Sequence, residues 1–396
     1  MRYLGLILPF VFLLQQPLLA QNTGADSTRQ QVRQWYTQAQ RHLEGYQFDQ
    51  ALQLLTRCYN KDSGDIGILG KIAYCHQQMG RFRDAKMYHQ EVLKRDSTNT
   101  NALNSLAIIA GQERHYRQAE EHYDRLLSLD TTNAYYYKRA AFTALRVGNT
   151  LKGIALFQRA HILNEADMEV IDQLSTIYIA LKQLDFAERL LQKGLNRAPS
   201  NISLLQNKAQ LHQKRNENEE VVSAIEQAMA QGDTTDYYQM MLGVAYLKID
   251  SLQQGIWHLK KIVDRQKDTD KTHHYLGLAY FYQKDYERAE EHLRQAIELG
   301  VSPKMGDYYK DLANLNLKQK ERPQAIRNYR RALEYKTDAQ TLYLLANQTD
   351  VYYRDKSIAL NYYQQYLSSQ DSTYREDAED RVRYLREIVH QQGGRP

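Results

Sequence analysis

The sequence predicts an all-α chain, built as a solenoid of about ten stacked helix pairs, on three observations. Small residues recur at a fixed spacing: Ala51, Ala85, Ala119, Gly153, Ala187, Val221, Gly255 and Ala289 stand 34 residues apart, and Ala325 and Ala359 continue the series after a slip of two. A second series runs twelve residues ahead of the first, through Ala39, Ala73, Ala107, Ala141, Ser175, Ala209, Gly243, Gly277, Ala313 and Asn347. Only 6 prolines and 19 glycines interrupt a chain of 396 residues rich in Ala, Leu, Gln, Glu, Lys and Arg, all good helix formers.

Residues 1–20 read as a secretory signal peptide. Arg2 gives a positive start, Leu4 to Leu14 is an apolar run, and Ala20 offers a small residue for cleavage before Gln21. A retained anchor is the alternative, but the run is shorter than the ~20 residues of a membrane span, and Gln15, Gln16 and Pro17 break it. No cysteine lies near the cleavage point to carry a lipid, and no later segment is apolar for long enough to cross a membrane. The mature chain is therefore expected outside the cytoplasm, periplasmic or associated with the outer envelope. Residues 21–31 form a polar N-terminal segment expected to lack fixed structure.

The small-residue series divides the following stretch, 32–373, into units 32–65, 66–99, 100–133, 134–167, 168–201, 202–235, 236–269, 270–303, 306–339 and 340–373. The clearest unit carries His273-His274-Tyr275-Leu276-Gly277-Leu278-Ala279-Tyr280, then Tyr286, Ala289, Leu293 and Ala296. Its neighbour repeats the signature as Leu242-Gly243-Val244-Ala245-Tyr246. Trp35 stands at position 4 of the first unit and Pro199 at position 32 of the fifth. In these features the chain resembles the tetratricopeptide repeat family, whose 34-residue helix-turn-helix carries small residues at positions 8, 20 and 27. The resemblance implies a right-handed superhelical solenoid that binds proteins or peptides.

The spacing has a physical reason. Two antiparallel helices joined by a short turn cannot bury their apolar faces alone, so each pair must stack on the next. Small residues let the two helices approach, while Tyr, Phe or Leu fills the space between turns. Gly153 and Gly255 are read as packing residues, because a helical glycine costs ~1 kcal/mol relative to alanine and close contact can offset it. Gly80 and Gly148, at position 15, suit the bend between helices. Polar runs such as Asp96-Ser97-Thr98-Asn99, Asp130-Thr131-Thr132-Asn133 and Asp233-Thr234-Thr235 should cap the next helix. These runs, with Asp250-Ser251-Leu252, also resemble a three-residue O-glycosylation acceptor of envelope proteins, and capping explains them without it. Residues 374–396 form a C-terminal capping helix and tail. Thr373 and Glu376 have capping-box spacing, Ala378, Val382, Leu385 and Val389 line one face, and Asp377, Asp380, Arg381, Arg383 and Arg386 should face water.

Charge and motifs exclude several functions. The 52 basic and 47 acidic residues are mixed along the chain, so no basic tract marks a nucleic-acid partner. No His-Glu-x-x-His, phosphate-binding glycine loop or Gly-x-Ser-x-Gly is present. His273 and His274 are adjacent on a helix, about 100° apart, and read as one packing and one surface histidine rather than a metal pair. No catalytic, cofactor or metal site is therefore expected. The two cysteines, Cys58 and Cys75, are expected to meet where the first two units stack. They read equally as a disulfide and as two buried thiols.

The resemblance places binding on the concave face, lined by positions 2, 5, 9, 12 and 13 of the first helix of each unit. Units three to six give a mixed surface there, including Tyr135, Lys138, Phe142 and Leu145. Units seven to nine present Tyr237, Met240, Lys248, Lys271, His274, Phe281, Tyr282, Lys310, Asn314 and Lys318, aromatic and lysine surface suited to an extended peptide with acidic groups. Lys310 and Asn314 resemble the start of the carboxylate clamp of chaperone-binding members, but Asn347 and Gln348 break that pattern in the next unit. The expected function is a non-enzymatic scaffold or adaptor of the bacterial envelope, with an accessory subunit of an envelope enzyme, secretion or transport complex as the alternative.

Overall fold

The computed structural model describes residues 19–267, 269–300, 304–391 and 393, with side chains from residue 28 onward. The expected signal peptide lies outside these residues except for its last two. Among the described residues there are 21 helices and no strand, and no helix is long and apolar enough to cross a membrane. The chain divides into two compact units, residues 1–174 and 175–396, with the division inside α9 (Met168–Ala180).

The first unit stacks the helix pairs α1 (Leu19–Glu44) with α2 (Phe48–Lys61), α3 (Ile66–Gln78) with α4 (Phe82–Arg95), α5 (Thr100–Gln112) with α6 (Tyr116–Leu129), and α7 (Ala134–Val147) with α8 (Thr150–Leu163). The polar segment 21–31, expected to be irregular, lies inside α1. Its Arg29, Gln30 and Gln31 extend, on exposed turns, a helix held further along by Val32, Trp35, Tyr36 and Ala39.

The second unit continues with α10 (Leu184–Arg197), α11 (Ile202–Arg215) and α12 (Asn218–Ala230). The pairs α13 (Asp236–Lys248) with α14 (Leu252–Asp264), α15 (Asp270–Tyr282) with α16 (Tyr286–Leu299), and α17 (Met305–Lys318) with α18 (Arg322–Tyr335) follow. The chain ends in α19 (Ala339–Tyr352) with α20 (Ser357–Leu367), then α21 (Arg375–Gln391).

Both small-residue series sit where helices cross, and nearly every member is buried. Asn347 is the exception. It stays half-buried, accepting from Gln348 Nε2 at 3.2 Å, and its neighbour Ala346 fills the contact instead. The packing glycines behave as the spacing predicts. A Cβ on Gly255 would lie 2.4 Å from Leu247 Cδ2 and 2.9 Å from the Gly243 carbonyl oxygen, so α13 and α14 touch backbone to backbone. On Gly153 it would lie 2.7 Å from Leu145 Cδ2. Gly80 and Gly148 take the left-handed conformation, with φ of 72° and 93°.

Two of the polar runs cap as expected: Asn99 Oδ1 accepts from Ala102 N at 3.0 Å and Asn133 Oδ1 from Tyr135 N at 3.1 Å. The third does not: Thr235, which precedes α13, makes no side-chain cap, and Asp233 Oδ1 closes the turn before the helix by accepting from Thr235 N at 2.9 Å. At α21, Ala378, Val382, Leu385 and Val389 are buried against α20 and α19. Its start differs from the expected capping box. Asp371 Oδ1 accepts from Thr373 N at 2.8 Å, and Tyr366 Oη accepts from Tyr374 N at 2.7 Å. Asp377 is exposed as expected, while accepting from Tyr343 Oη at 2.6 Å; Arg381 departs from the expectation, half-buried and donating to the buried Asp350. A buried carboxylate needs a cation, and Lys356 Nζ, 3.3 Å from the other oxygen, is its second.

Candidate functional site

The ten residues expected in the groove belong to α13, α15 and α17, the first helices of three successive pairs in the second unit; α15 touches both α13 and α17. The structure sorts them into two groups. Five are open. Tyr237 is 50% exposed and Tyr282 65% exposed, while Lys248, Lys271 and Lys318 are exposed and make no ion pair among the described residues. Tyr237 packs edge-on against Tyr238, centroids 5.0 Å apart, and Tyr282 against Phe281 at 5.7 Å, so each exposed ring is braced from one side.

The other five are engaged within the protein. Met240 and Phe281 are half-buried against the α14–α16 core. His274, read as a surface histidine, shares a hydrogen bond with Asp311 across 2.8 Å and lies 4.5 Å from the Tyr308 ring centroid. Tyr308 in turn donates to Asp270 Oδ2 at 2.9 Å, so α15 and α17 are tied twice along this face. Lys310 stands 3.8 Å from Asp338, and Asn314 Oδ1 accepts from Tyr329 Oη at 2.5 Å. The two residues that resembled the start of a carboxylate clamp are thus already occupied. The helix spacing put these side chains on the first helices of three successive pairs, but sequence could not show which of them find partners on the next repeat.

His273 is buried, as expected of the packing member of its pair. Its Nδ1 lies 2.9 Å from His292 Nδ1, one ring donating to the other. Burial, and next the neighbouring His273, holds His292 below the ordinary histidine range. Among the described residues, no cluster of three His, Cys, Asp or Glu could hold a metal ion.

Cys58 and Cys75 are buried in one apolar cluster with Ala39, Leu55 and Ile72, as free thiols. Cys58 Sγ donates to the Val32 carbonyl at 3.6 Å. Burial pushes Cys58 up, and Cys75 to about 11, so neither is a ready nucleophile.

Two cavities lie on surfaces that the sequence reading left as mixed or did not single out. One, about 360 Å³, lies between α5 and α7 and is lined by Gly111, Tyr116, Arg139 and Phe142. The other, about 520 Å³, lies between α3, α4 and α5 and includes Gly67, Gly70, Lys71, His89 and Asn104. The available signal was glycine at positions 2 and 5 of the second unit, the absence of side chains on a face otherwise built of them.

The tetratricopeptide repeat profile matches residues 268–338, the segment that holds α15 to α18. No curated protein matches the chain. Similar solved structures include MamA from Desulfovibrio magneticus RS-1, 16% identical with a TM-score of 0.40, covering 43% of this chain and 97% of that one. YrrB, a TPR protein with an unusual peptide-binding site, is 16% identical with a TM-score of 0.41, covering 45% and 92%. The Cut9–Hcn1 hetero-tetramer of the APC/C is 14% identical with a TM-score of 0.46, covering 89% and 76%. The matched segment is thus identified as tetratricopeptide repeat, and it folds as two successive helix pairs, α15 with α16 and α17 with α18.

Proposed function

We propose that this protein is an exported, non-enzymatic scaffold that holds an extended, acidic segment of a partner protein against α13, α15 and α17. One observation carries the reading: Tyr237 and Tyr282 expose aromatic surface on α13 and α15 beside Lys248 and Lys271, with Lys318 on the adjoining α17, and the three lysines make no ion pair among the described residues. Tyrosine supplies contact area at low entropic cost, and unpaired lysines attract and orient an anionic chain. Two carboxylates on these helices and the next are engaged elsewhere. Asp311 is bound to His274 and Asp338 caps α19, accepting from Thr341 N at 2.9 Å. The leader-like first twenty residues support export to the envelope.

Co-purification with the mature chain tests this reading. A specific partner should be recovered with the wild type and lost with Lys248→Glu, Lys271→Glu, Lys318→Glu, whose helical content should be unchanged because none of the three is buried. Each exposed charge contributes modestly, so the triple reversal is needed for a clear loss. Recovery of the same partner by the triple variant would move binding to another surface.

A further inference from the structure

In the first unit, a cavity of about 360 Å³ lies between α5 and α7, at the lower end of the size range of small-ligand sites. It can be entered from solvent. Gly111, in its wall on α5, has no atom within 4 Å of where a Cβ would stand, and Arg146 of α7 is exposed. Arg139, Phe142 and Arg146 stand three and four residues apart on α7, so one face of that helix brings two guanidinium groups and an aromatic ring to the lining. Ile108 of α5 adds apolar surface.

No carboxylate lines the cavity, and neither arginine makes an ion pair among the described residues. Carboxylates close by are already held. Glu113, which follows the lining residue Gln112, is 2.8 Å from Lys86 Nζ, and Glu169, whose charge reaches Arg139, is 2.9 Å from Lys138 Nζ. Arg139 is half-buried, with its Nε sealed and without a hydrogen-bond partner. Burial works against its charge, and the neighbouring Tyr123 hydroxyl works for it. A guanidinium carries five N–H donors, so terminal N–H groups of Arg139 are left over for a ligand at the cavity wall.

Charge, more than donor count, selects the occupant. A water molecule, a hydroxyl or an amide can accept from a guanidinium, but none of them offsets two positive charges set on one helix face. An anion does both. The guanidinium fork matches the two oxygens of a carboxylate. A phosphate monoester also fits the fork, but as a dianion it gives up more hydration on entering a lining that is partly apolar. Phe142 and Ile108 then cover a carbon body attached to the acid. We propose that this cavity is a pocket for a carboxylate on an apolar body, with Arg139 and Arg146 on its oxygens and Phe142 and Ile108 on its carbons. The acid is either the C-terminal end of a polypeptide or a free small molecule; the recognition chemistry is the same.

The test is a calorimetric titration of the full chain with 3-phenylpropionate, beside 3-phenylpropionamide, 3-phenylpropanol, 2-phenylethyl phosphate and acetate. The phenylpropionate should bind saturably and at least about tenfold (~1.4 kcal/mol) more tightly than each of the others. Arg146→Gln, a change at an exposed position, should weaken it at least about tenfold, and so should Arg139→Gln. Should the second variant fail to fold, Gly111→Leu, which fills the open wall and leaves both arginines in place, must lose the same binding. Equal or tighter binding of the amide, the alcohol or the phosphate overturns the proposal, as does unchanged binding by Arg146→Gln or the absence of saturable binding. A decapeptide of Ala and Ser ending in Phe separates the two sources. Tighter binding than the free acid, lost when the peptide is amidated at its C-terminus, assigns a polypeptide end, and equal or weaker binding assigns a free acid. The Lys248→Glu, Lys271→Glu, Lys318→Glu variant should bind phenylpropionate normally, so failure of this pocket and failure of the α13–α17 surface are read separately.

Discussion

A glycine inside a helix has opposite consequences at two places in this chain. At Gly255 an added methyl collides with Leu247 and with the Gly243 carbonyl. At Gly70 it meets open space. Gly255→Ala should therefore destabilise by about 1–3 kcal/mol despite better helix propensity, because overpacking outweighs it. Gly70→Ala should stabilise by about 0.5–1 kcal/mol. Chemical denaturation of both variants checks the pair, and the same sign for both would mean the helix contacts are misplaced.

Histidine sets the pH response at this scale. Burial pushes His89 down to about 4, and burial, then Lys261, does the same to His258. In the unfolded chain both titrate near 6.5, at about the reference value. Above that pH both states are neutral and these groups contribute no slope. As pH falls toward 4, the unfolded chain takes up protons that the folded chain refuses. Stability should then fall by up to about 1.4 kcal/mol per pH unit for each histidine, levelling below pH 4. Denaturation at pH 7.5, 5.5 and 4.5 measures the slope, and His89→Gln should remove part of it.

At the scale of elements, the turn inside each helix pair was only partly legible. Gly80 and Gly148 hold its left-handed position, but Tyr46, Arg114, Lys182, Asn216, Asp250, Lys284 and Lys320 hold the same position in seven other pairs, with φ between 57° and 66°. Packing of the two helices imposes the conformation, so residue type at the turn is a weak signal. The terminal helix was clearer, since its buried face follows a simple 3.6-residue period. Its ties to Asp350 and Tyr343 were hidden, because charge alone does not reveal a partner one helix pair away.

Truncation after Thr373 should uncover Tyr363 and Tyr366 and strip Asp350 of Arg381. Lys356 still faces Asp350, so the cost comes mainly from uncovering the apolar face that α21 buries. Hydrogen exchange should therefore speed up in α19 and α20 and stay unchanged in α1 to α6, because stability in a repeat array passes mainly between neighbours. Unchanged protection of α20 would show that α21 is not its cap.

At the scale of the whole molecule, helix contacts run between elements adjacent or next-adjacent in sequence. That locality made the fold readable: one period, repeated, implies one helix pair, stacked. Function was less readable for the same reason. Every repeat offers a similar first-helix face, and sequence alone does not tell which side chains on α13, α15 and α17 remain unpaired once the neighbours are in place. The α3–α5 cavity was harder still, since its sign in the sequence is two missing side chains.

Binding by the α13–α17 face is tested most directly with a photoreactive phenylalanine placed at Tyr282 and, separately, at Leu151, which is 83% exposed on α8. Irradiation in the native envelope should yield one discrete adduct from position 282, lost in the Lys248→Glu, Lys271→Glu, Lys318→Glu background, and none of that mass from position 151. The same adduct from both positions, or only from 151, would contradict a binding surface on α13, α15 and α17.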